Sequence, residues 1–272
     1  MSLEVRSLAS GSSANCILVR DNGASLLIDA GIGVRQLVAA LERAGVNPRD
    51  LSAILVTHEH TDHIAGAVRM PRRFRVPLVS NSGTLASIPG ASLTLVREVE
   101  VGEEMGIQAF GVRSFPVSHD AACPVGYTIT CGGATVCSAT DTGTLTPEMR
   151  AEAATADLVI LESNHDLEML VKGPYPWPLK RRIMGEWGHL SNDAAAGLLT
   201  ELADLGRPRT VWLAHLSKTN NSPGIALAAA RKALSSRGTA PIALGVALRD
   251  VPSVSWRQGA TVFQLGLFGA RQ

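Results

Sequence analysis

Between Thr57 and His63 the chain reads Thr-His-Glu-His-Thr-Asp-His, and this stretch narrows the possible folds more than any other. The run before it, Ala53 to Val56, is apolar and reads as a short buried strand. The run after it, Ile-Ala-Gly-Ala-Val, reads as the start of a helix. Three imidazoles and two carboxylates at the junction are hard to explain by packing. Neutral imidazole and carboxylate are the donors that suit zinc, manganese or iron. His58 and His60 alternate along an extended segment and so face the same way. Glu59, between them, faces elsewhere. Asp62 and His63 stand where strand turns into helix and present a second pair from another side. The spacing predicts a site for two metals.

The chain has 272 residues and is 46% hydrophobic but only 4% aromatic, so its core is built mainly of Ala, Val, Leu and Ile. The net charge of +1 excludes a global field for nucleic acid, which leaves any such binding to local patches. The N-terminal Met-Ser-Leu-Glu-Val-Arg lacks the pattern of a signal peptide. No apolar run reaches the ~18 residues of a membrane span. A cytoplasmic protein without a membrane partner is expected. Cys16, Cys123, Cys131 and Cys137 show no CxxC spacing and read as reduced thiols. A two-residue turn at Gly132-Gly133 sets Cys131 opposite Ala134 rather than Cys137.

Leu3–Leu8, Asn15–Val19 and Ser25–Asp29 read as strands, and residues 33–44 as a helix stopped by Gly45. Later strands are expected at Pro77–Ser80, Met105–Val112, Arg113–Val117, Val125–Cys131, Ala134–Ala139, Asp157–Leu161, Val211–Ala214, Ile242–Leu248, Ser253–Trp256 and Thr261–Leu265. Helices are expected at Thr84–Ser87 (helix or turn), at Pro147–Ala154 behind a Thr146 cap, from Ser191 to about Leu205, and at Ile225–Leu234. The prolines of Gly-Pro-Tyr-Pro-Trp-Pro (173–178) predict an ordered loop. With no break in composition, residues 1–272 read as one α/β domain holding two sheets inside a helical coat.

Four histidines remain: His119, His165, His189 and His215, each just past an apolar or strand-like run. Asp141 follows such a run too, in Asp-Thr-Gly. Because the arrangement of His58 recurs at His119, Asp141 and His215, these three are the further candidate ligands.

In order, residues 57–63, His119, Thr140–Gly143 and His215 resemble the motifs of the metallo-β-lactamase fold superfamily. Leu8–Asn15, Glu162–Asp166, Met169-Leu170, Gly188–Asn192 and His215–Pro223 are similar to blocks of its YycJ/WalJ (VicX) subfamily, with Ala14 where that subfamily usually has Gly. The resemblance covers nearly the whole chain. It implies a four-layer αββα sandwich: two mixed β-sheets flanked by helices, with metals at one sheet edge. It also implies that His58, His60 and His119 hold one divalent ion, that Asp62, His63 and His215 hold a second, and that Asp141 bridges them. The ligand chemistry suits zinc and manganese equally.

The activity implied is metal-dependent 5′-to-3′ exonuclease action on DNA ends. Two ions lower the pKa of a bridging water and clamp a phosphodiester, which makes a bridging hydroxide the nucleophile. Asp62 is placed to orient that water. His189, in a position similar to the catalytic histidine of the tRNA 3′-processing nucleases, is the candidate acid for the leaving oxygen. For His165, substrate contact, support of a ligand and a structural role stay open. Asn164, Lys180, Arg181, Asn220 and Asn221 are the candidate substrate contacts, with Lys172, Arg182 and the cluster of Arg69, Arg72, Arg73 and Arg75 as further basic groups. Ser12, Ser13 and Asn15 lie in a turn that can face the site. The metal motifs equally fit a hydrolase of small phosphodiesters, lactones or thioesters. A regulatory protein that keeps the scaffold fits them less well. The oligomeric state is open.

Overall fold

A computed structural model describes residues 2–21, 23–235, 241–259 and 263–264. The strands are β1 (Glu4–Ala9), β2 (Cys16–Asp21), β3 (Ala24–Ile28), β4 (Leu51–Leu55), β5 (Leu78–Ser80), β6 (Val96–Glu98), β7 (Glu104–Ile107), β8 (Phe110–Pro116), β9 (Val125–Cys131), β10 (Ala134–Ala139), β11 (Leu158–Glu162), β12 (Arg209–Ala214), β13 (Ile242–Val246), β14 (Val254–Arg257) and β15 (Phe263–Gln264). The helices are α1 (Val34–Arg43), α2 (Thr61–Ile64), α3 (Arg69–Phe74), α4 (Ser82–Ser87), α5 (Pro147–Thr155), α6 (Leu167–Lys172), α7 (Trp177–Met184), α8 (Asn192–Asp204) and α9 (Pro223–Ser235).

The strands form two mixed sheets, in the orders β15-β14-β1-β2-β3-β4-β5-β6 and β13-β12-β11-β10-β9-β8-β7. Period-two alternation decides which sheet face each residue serves. Leu26 and Ile28 point inward and meet Val112, Tyr127, Ile160 and Trp212 of the other sheet. Leu27 and Ile54 point outward onto Leu37, Leu41 and Met70 of α1 and α3. Val159, Leu161 and Leu213 point outward from the second sheet onto α5, α8 and α9, against Met149, Leu198, Leu199 and Ala226. Helix, sheet, sheet and helix thus stack as the expected four-layer αββα sandwich.

Two expectations need correction. Residues 105–112 are not one strand: β7 and β8 form an antiparallel hairpin whose turn begins at Gln108, in the left-handed region at φ 54°. No glycine marks that position, so the run looks continuous. The proline-rich stretch is also more regular than expected. Pro176 caps α7 and Pro178 lies in its first turn, where a missing N–H costs nothing. The expected strand Thr261–Leu265 lies partly outside the described residues. Cys131 does pair with Ala134, and all four cysteines are free.

β3, β4 and β5 run parallel, as do β10, β11 and β12. Their C-terminal ends reach one edge of the sandwich, the place where open α/β sheets bind ligands. Among the described residues no helix is long and apolar enough to cross a membrane.

Candidate metal centre

Each candidate ligand, and with them Asp29, sits just beyond a strand end. Asp29 follows β3, residues 57–63 follow β4, His119 lies past β8, Asp141 past β10, and His215 follows β12. The end of β4 is pinned from both sheets, because Ser80 Oγ and Tyr127 OH both donate to the Val56 carbonyl. Asp29, Asp141 and His215 hold φ values of 59°, 55° and 54°, a region that non-glycine residues adopt only under constraint. Such strain concentrated at one edge points to function.

The donors gather into two main sets. His58, His60 and His119 form one, and Asp62, His63 and His215 the other, with the donor atoms of each set within 4.8 Å of one another. Asp141 lies between them: Oδ2 is 3.2 Å from His63 Nε2, and Oδ1 is 3.9 Å from His119 Nε2 and 3.5 Å from His215 Nδ1.

The opposite ring nitrogens are spoken for. His63 Nδ1 donates to Asp29 Oδ2 (2.7 Å), His119 Nδ1 to the Gly188 carbonyl (3.0 Å) and His215 Nδ1 to Glu162 Oε1 (2.9 Å). His58 Nδ1 meets Thr57 Oγ1 at 3.0 Å, and that hydroxyl in turn reaches both Asp29 oxygens. Each bond fixes a tautomer and leaves Nε2 facing the centre. His60 turns the other way, its Nδ1 lying 3.3 Å from His119 Nε2.

Three buried atoms around this space, His58 Nε2, His215 Nε2 and Asp141 Oδ2, have no hydrogen-bond partner. Buried polar atoms left this way cost stability unless something binds them. Nitrogen and oxygen lone pairs converging from several sides fit a cation, so this donor set is able to hold metal ions.

Residues 25–216, which contain every one of these donors, match the β-lactamase superfamily domain. The chain belongs to the metallo-β-lactamase superfamily. One relative is the exodeoxyribonuclease YycJ of Bacillus anthracis, 36% identical over 243 residues that cover 88% of this chain and 91% of that protein. Another is the exodeoxyribonuclease WalJ of Streptococcus pneumoniae, 37% identical over 223 residues covering 79% and 81%. Among solved structures, the metallo-β-lactamase fold protein YhfI from Bacillus subtilis superposes with a TM-score of 0.71 at 17% identity, over 94% of this chain and all of that one. The last likeness is one of fold alone.

The electrostatics of this metallo-β-lactamase centre are those of a site built for positive charge. Burial acts against ionisation throughout, and in several groups the neighbours overrule it. His63 is held well above the usual imidazole range by Asp29 and Asp141, and His215 is pushed up to about 10 by Asp141, Asp62 and Glu162. The Asp141 carboxyl is held well below its ordinary range by His215 and His63, and Glu162 is drawn down to about 2 by His189 and His215. His58 and His119 fall below 6.5, through burial first and neighbouring imidazoles next. In the metal-free protein, protons on His63 and His215 occupy the place of cationic charge.

A cavity of about 410 Å³ opens over the centre, lined by His60, Asp62, His119, Asp141, His189 and His215, and also by Ser12, Asn164, Tyr175, Leu179 and Arg182. Of the candidate substrate contacts only Asn164 lines it, and its Nδ2 donates to the His215 carbonyl. His165, Asn220 and Asn221 are buried away from the cavity, where Asn221 ties Ser163, Asn164 and Asn192 together. Lys180 is buried as well, and Nζ donates to the Val171 carbonyl, joining α7 to α6. Arg181 is exposed on α7 beside the cavity wall, and Arg69, Arg72, Arg73 and Arg75 are exposed on and after α3. His189 does reach the site: Nδ1 donates to Glu162 Oε1 (2.9 Å), and that carboxylate holds its pKa above the ordinary 6.5 against the effect of burial. Of the turn at Ser12–Asn15, Ser12 lines the cavity and Asn15 Nδ2 lies 3.0 Å from His63 Nε2 and 3.3 Å from Asp62 Oδ2, whereas Ser13 turns away and donates to Asp250 Oδ1.

Two groups escape sequence reasoning. Asp29 ends a strand, and Glu162 sits inside a polar block. Both are buried carboxylates whose partners are distant in sequence. A carboxylate closing an apolar run, Leu26–Ile28 before Asp29 and Leu158–Leu161 before Glu162, was the available signal.

Proposed function

We propose that this chain is a two-metal phosphodiesterase, a 5′-to-3′ exodeoxyribonuclease acting on DNA ends in the cytoplasm as a single catalytic domain. The observation that carries this is the pair of converging donor sets with their unpartnered nitrogens and oxygen, on a chain whose relatives over most of its length are named exodeoxyribonucleases. His58, His60 and His119 would hold one ion, Asp62, His63 and His215 the other, and Asp141 both. Zinc and manganese suit the donors. When bound, the ions supply an activated water and positive charge against the phosphate oxygens.

The chain's own groups divide the remaining work. Asp62 lines the cavity and orients the attacking water through its carboxylate. Arg182, also in the wall, is held by Asp120, with Nε donating to Asp120 Oδ2 at 2.7 Å, and brings positive charge to the cavity beside the phosphate. The P–O bond to the leaving oxygen breaks as His189 delivers a proton to that oxygen. Glu162 fixes Nδ1 of His189, which leaves Nε2 as the proton-carrying atom on the cavity side. The product is a terminal nucleotide and a strand shorter by one residue.

A second reading, hydrolysis of a small phosphodiester, lactone or thioester, is favoured by the size of the cavity, which lies in the range of small-molecule sites. Purified protein incubated with 3′-labelled and 5′-labelled DNA and either Mn²⁺ or Zn²⁺ separates the two. Progressive shortening from the 5′ end, abolished in Asp141→Ala, is expected. Intact DNA with turnover of small esters would replace the nuclease by the second reading.

A further inference from the structure

The chain carries 24 Asp and Glu residues, and none of them lies between His63 and Glu98. The same stretch holds five arginines, Arg69, Arg72, Arg73, Arg75 and Arg97. With a net charge of +1 for the whole protein, this is a local concentration of one sign and no part of a general field. Arg69, Arg72, Arg73 and Arg75 stand close together on and just after α3. Met70 and Pro71 are buried and Phe74 is half-buried, which seats the helix on the outer face of the first sheet, and the four arginines are all exposed. Other arginines of the surface are matched: Arg6 by Glu4, Arg113 by Glu152, Arg150 by Glu201, Arg182 by Asp120 and Arg207 by Asp157. Among the described residues no carboxylate lies within ion-pair distance of the four at α3, and Arg73 has only the Phe74 ring, 5.1 Å from its guanidinium carbon.

A short coiled path ties α3 to the candidate metal centre. The Ala65 amide donates to the Thr61 carbonyl, the Ala67 amide to the Ile64 carbonyl and the Met70 amide to the Gly66 carbonyl, so the backbone keeps turning from α2 into α3. At the rise of a helix, Arg69 to Arg75 lie about 9 to 18 Å along that path from His63. Asp62, on α2, lines the cavity itself. Arg75 carries a further mark. It ends α3 in the left-handed region at φ 61°, with its amide donating to the Pro71 carbonyl. Glycine is the usual residue for such an ending, because a side chain is strained there. The same strain is found at Asp29, Asp141 and His215, all at the candidate centre. The chain keeps an arginine where a glycine would relax the backbone, and strain of this kind persists where the side chain has a use.

A cavity of about 410 Å³ takes the end of a strand and little more, so a longer substrate must continue over the outer surface. An arginine-lined surface free of carboxylates, leading away from the donors of α2, complements a phosphodiester backbone, whose charges recur about every 3.4 Å of helix axis on each strand. On the nuclease reading given above, we propose that Arg69, Arg72, Arg73 and Arg75 form a track that holds the DNA backbone roughly three to five nucleotides inward from the scissile end. Contacts of this kind set position and affinity and read no sequence. An anionic lipid surface also attracts arginines, but a helix that lies in one inserts apolar side chains beside them, and here Met70 and Pro71 are buried against the sheet.

The test uses metal-loaded full-length protein and a short 3′-fluorescein DNA duplex with phosphorothioate linkages, followed by anisotropy across a salt series. Arg69→Gln, Arg72→Gln and Arg73→Gln together are expected to weaken binding on the order of tenfold or more at low salt and to flatten the slope of log affinity against log salt by about three. Bound metal should stay at the wild-type level, and the loss in turnover of DNA should fall on KM. Uncharged methylphosphonates at roughly the third to fifth linkages from the end should weaken wild-type binding and add little to the triple variant. Arg75→Gly should bind DNA more weakly and yet unfold at a higher denaturant midpoint. If wild-type protein shortens DNA and the triple variant keeps its affinity and salt slope, the track is wrong and the nuclease stands. If the variant binds DNA unchanged but no longer sediments with phosphatidylglycerol vesicles that retain the wild type, the arginines face a membrane and the track is wrong. If wild-type protein neither binds nor shortens any DNA, the nuclease reading falls first and the track with it.

Discussion

Glu162 has no exposed surface, and its two oxygens accept from four donors: His189 Nδ1 and His215 Nδ1 on Oε1, the Thr142 and Leu190 amides on Oε2. One carboxylate thus sets the tautomer of a candidate ligand and of the candidate acid together. Glu162→Gln keeps the shape but removes the charge and half the accepting capacity. It is expected to lower metal affinity roughly 10- to 100-fold, read by competition with a chelator, and to move the alkaline limb of the pH–rate profile, on which His189 loses its proton, to lower pH. Unchanged affinity with an unchanged profile would show that Glu162 only fills space. Asp29→Asn should act the same way on affinity through His63, without the change in profile. The raised pKa values of His63 and His215 carry a second expectation, for the metal-free protein. A group whose folded pKa is raised stabilises fully below its unfolded value and loses that contribution as pH climbs through its folded one. As pH rises from 6.5 to about 10, the stability that His215 gives the metal-free protein is progressively lost, which pH-dependent denaturant unfolding reads directly. Metal loading near neutrality must displace these protons, so calorimetry in buffers of different ionisation enthalpy should show proton release and affinity that rises with pH. Binding with no proton release would contradict this. At this scale the candidate ligands were legible because imidazole and carboxylate clustered after apolar runs have few other uses. Asp29 and Glu162 were not, because their partners are close only in space.

The turns between strand and helix decide whether these side chains meet. A Cβ on Gly31 would lie 1.6 Å from the Asp62 carbonyl, and one on Gly143 would lie 2.2 Å from the Glu186 carbonyl. Both glycines let the loop that carries a candidate ligand touch another loop backbone to backbone. Gly143→Ala must push the 185–188 strap off the Asp141 turn. It is expected to cost ~1–3 kcal/mol in denaturant unfolding and to reduce bound metal, whereas Gly197→Ala, with open space around it on α8, should cost nothing. Equal stability of the two variants would remove the close approach as a reason for the glycine. Most elements could be read in advance from period-two and helical patterning and from caps such as Thr146 and Ser191, whose side chains accept from Met149 N and Ala194 N. The β7–β8 turn at Gln108 was hidden because a non-glycine residue takes a left-handed conformation there. α7 was hidden because prolines at a helix start look the same in sequence as prolines that prevent one.

Across the whole molecule, two sheets pressed face to face hold the strand ends in register, and the candidate centre depends on that rigidity. Trp212 is wholly buried in the inter-sheet core on β12, three residues before His215. Trp212→Ala should cost ~3–5 kcal/mol of stability and loosen metal binding with it. Stability lost with metal affinity intact would mean that the loops hold the centre without the sandwich. The expected four layers and the gathering edge came from the resemblance and the ordered motifs. That Trp212 and Trp256 are buried while Trp177 and Trp187 are exposed came from neither, since a sequence does not say which indoles the core will take. Two-ion phosphodiester hydrolysis is tested most directly by titrating metal-free protein with Mn²⁺ or Zn²⁺ while following both bound metal and release of the terminal nucleotide from 5′-labelled DNA. Activity should stay low through the first equivalent and rise with the second. Full activity at one equivalent, or in metal-free protein, would contradict it.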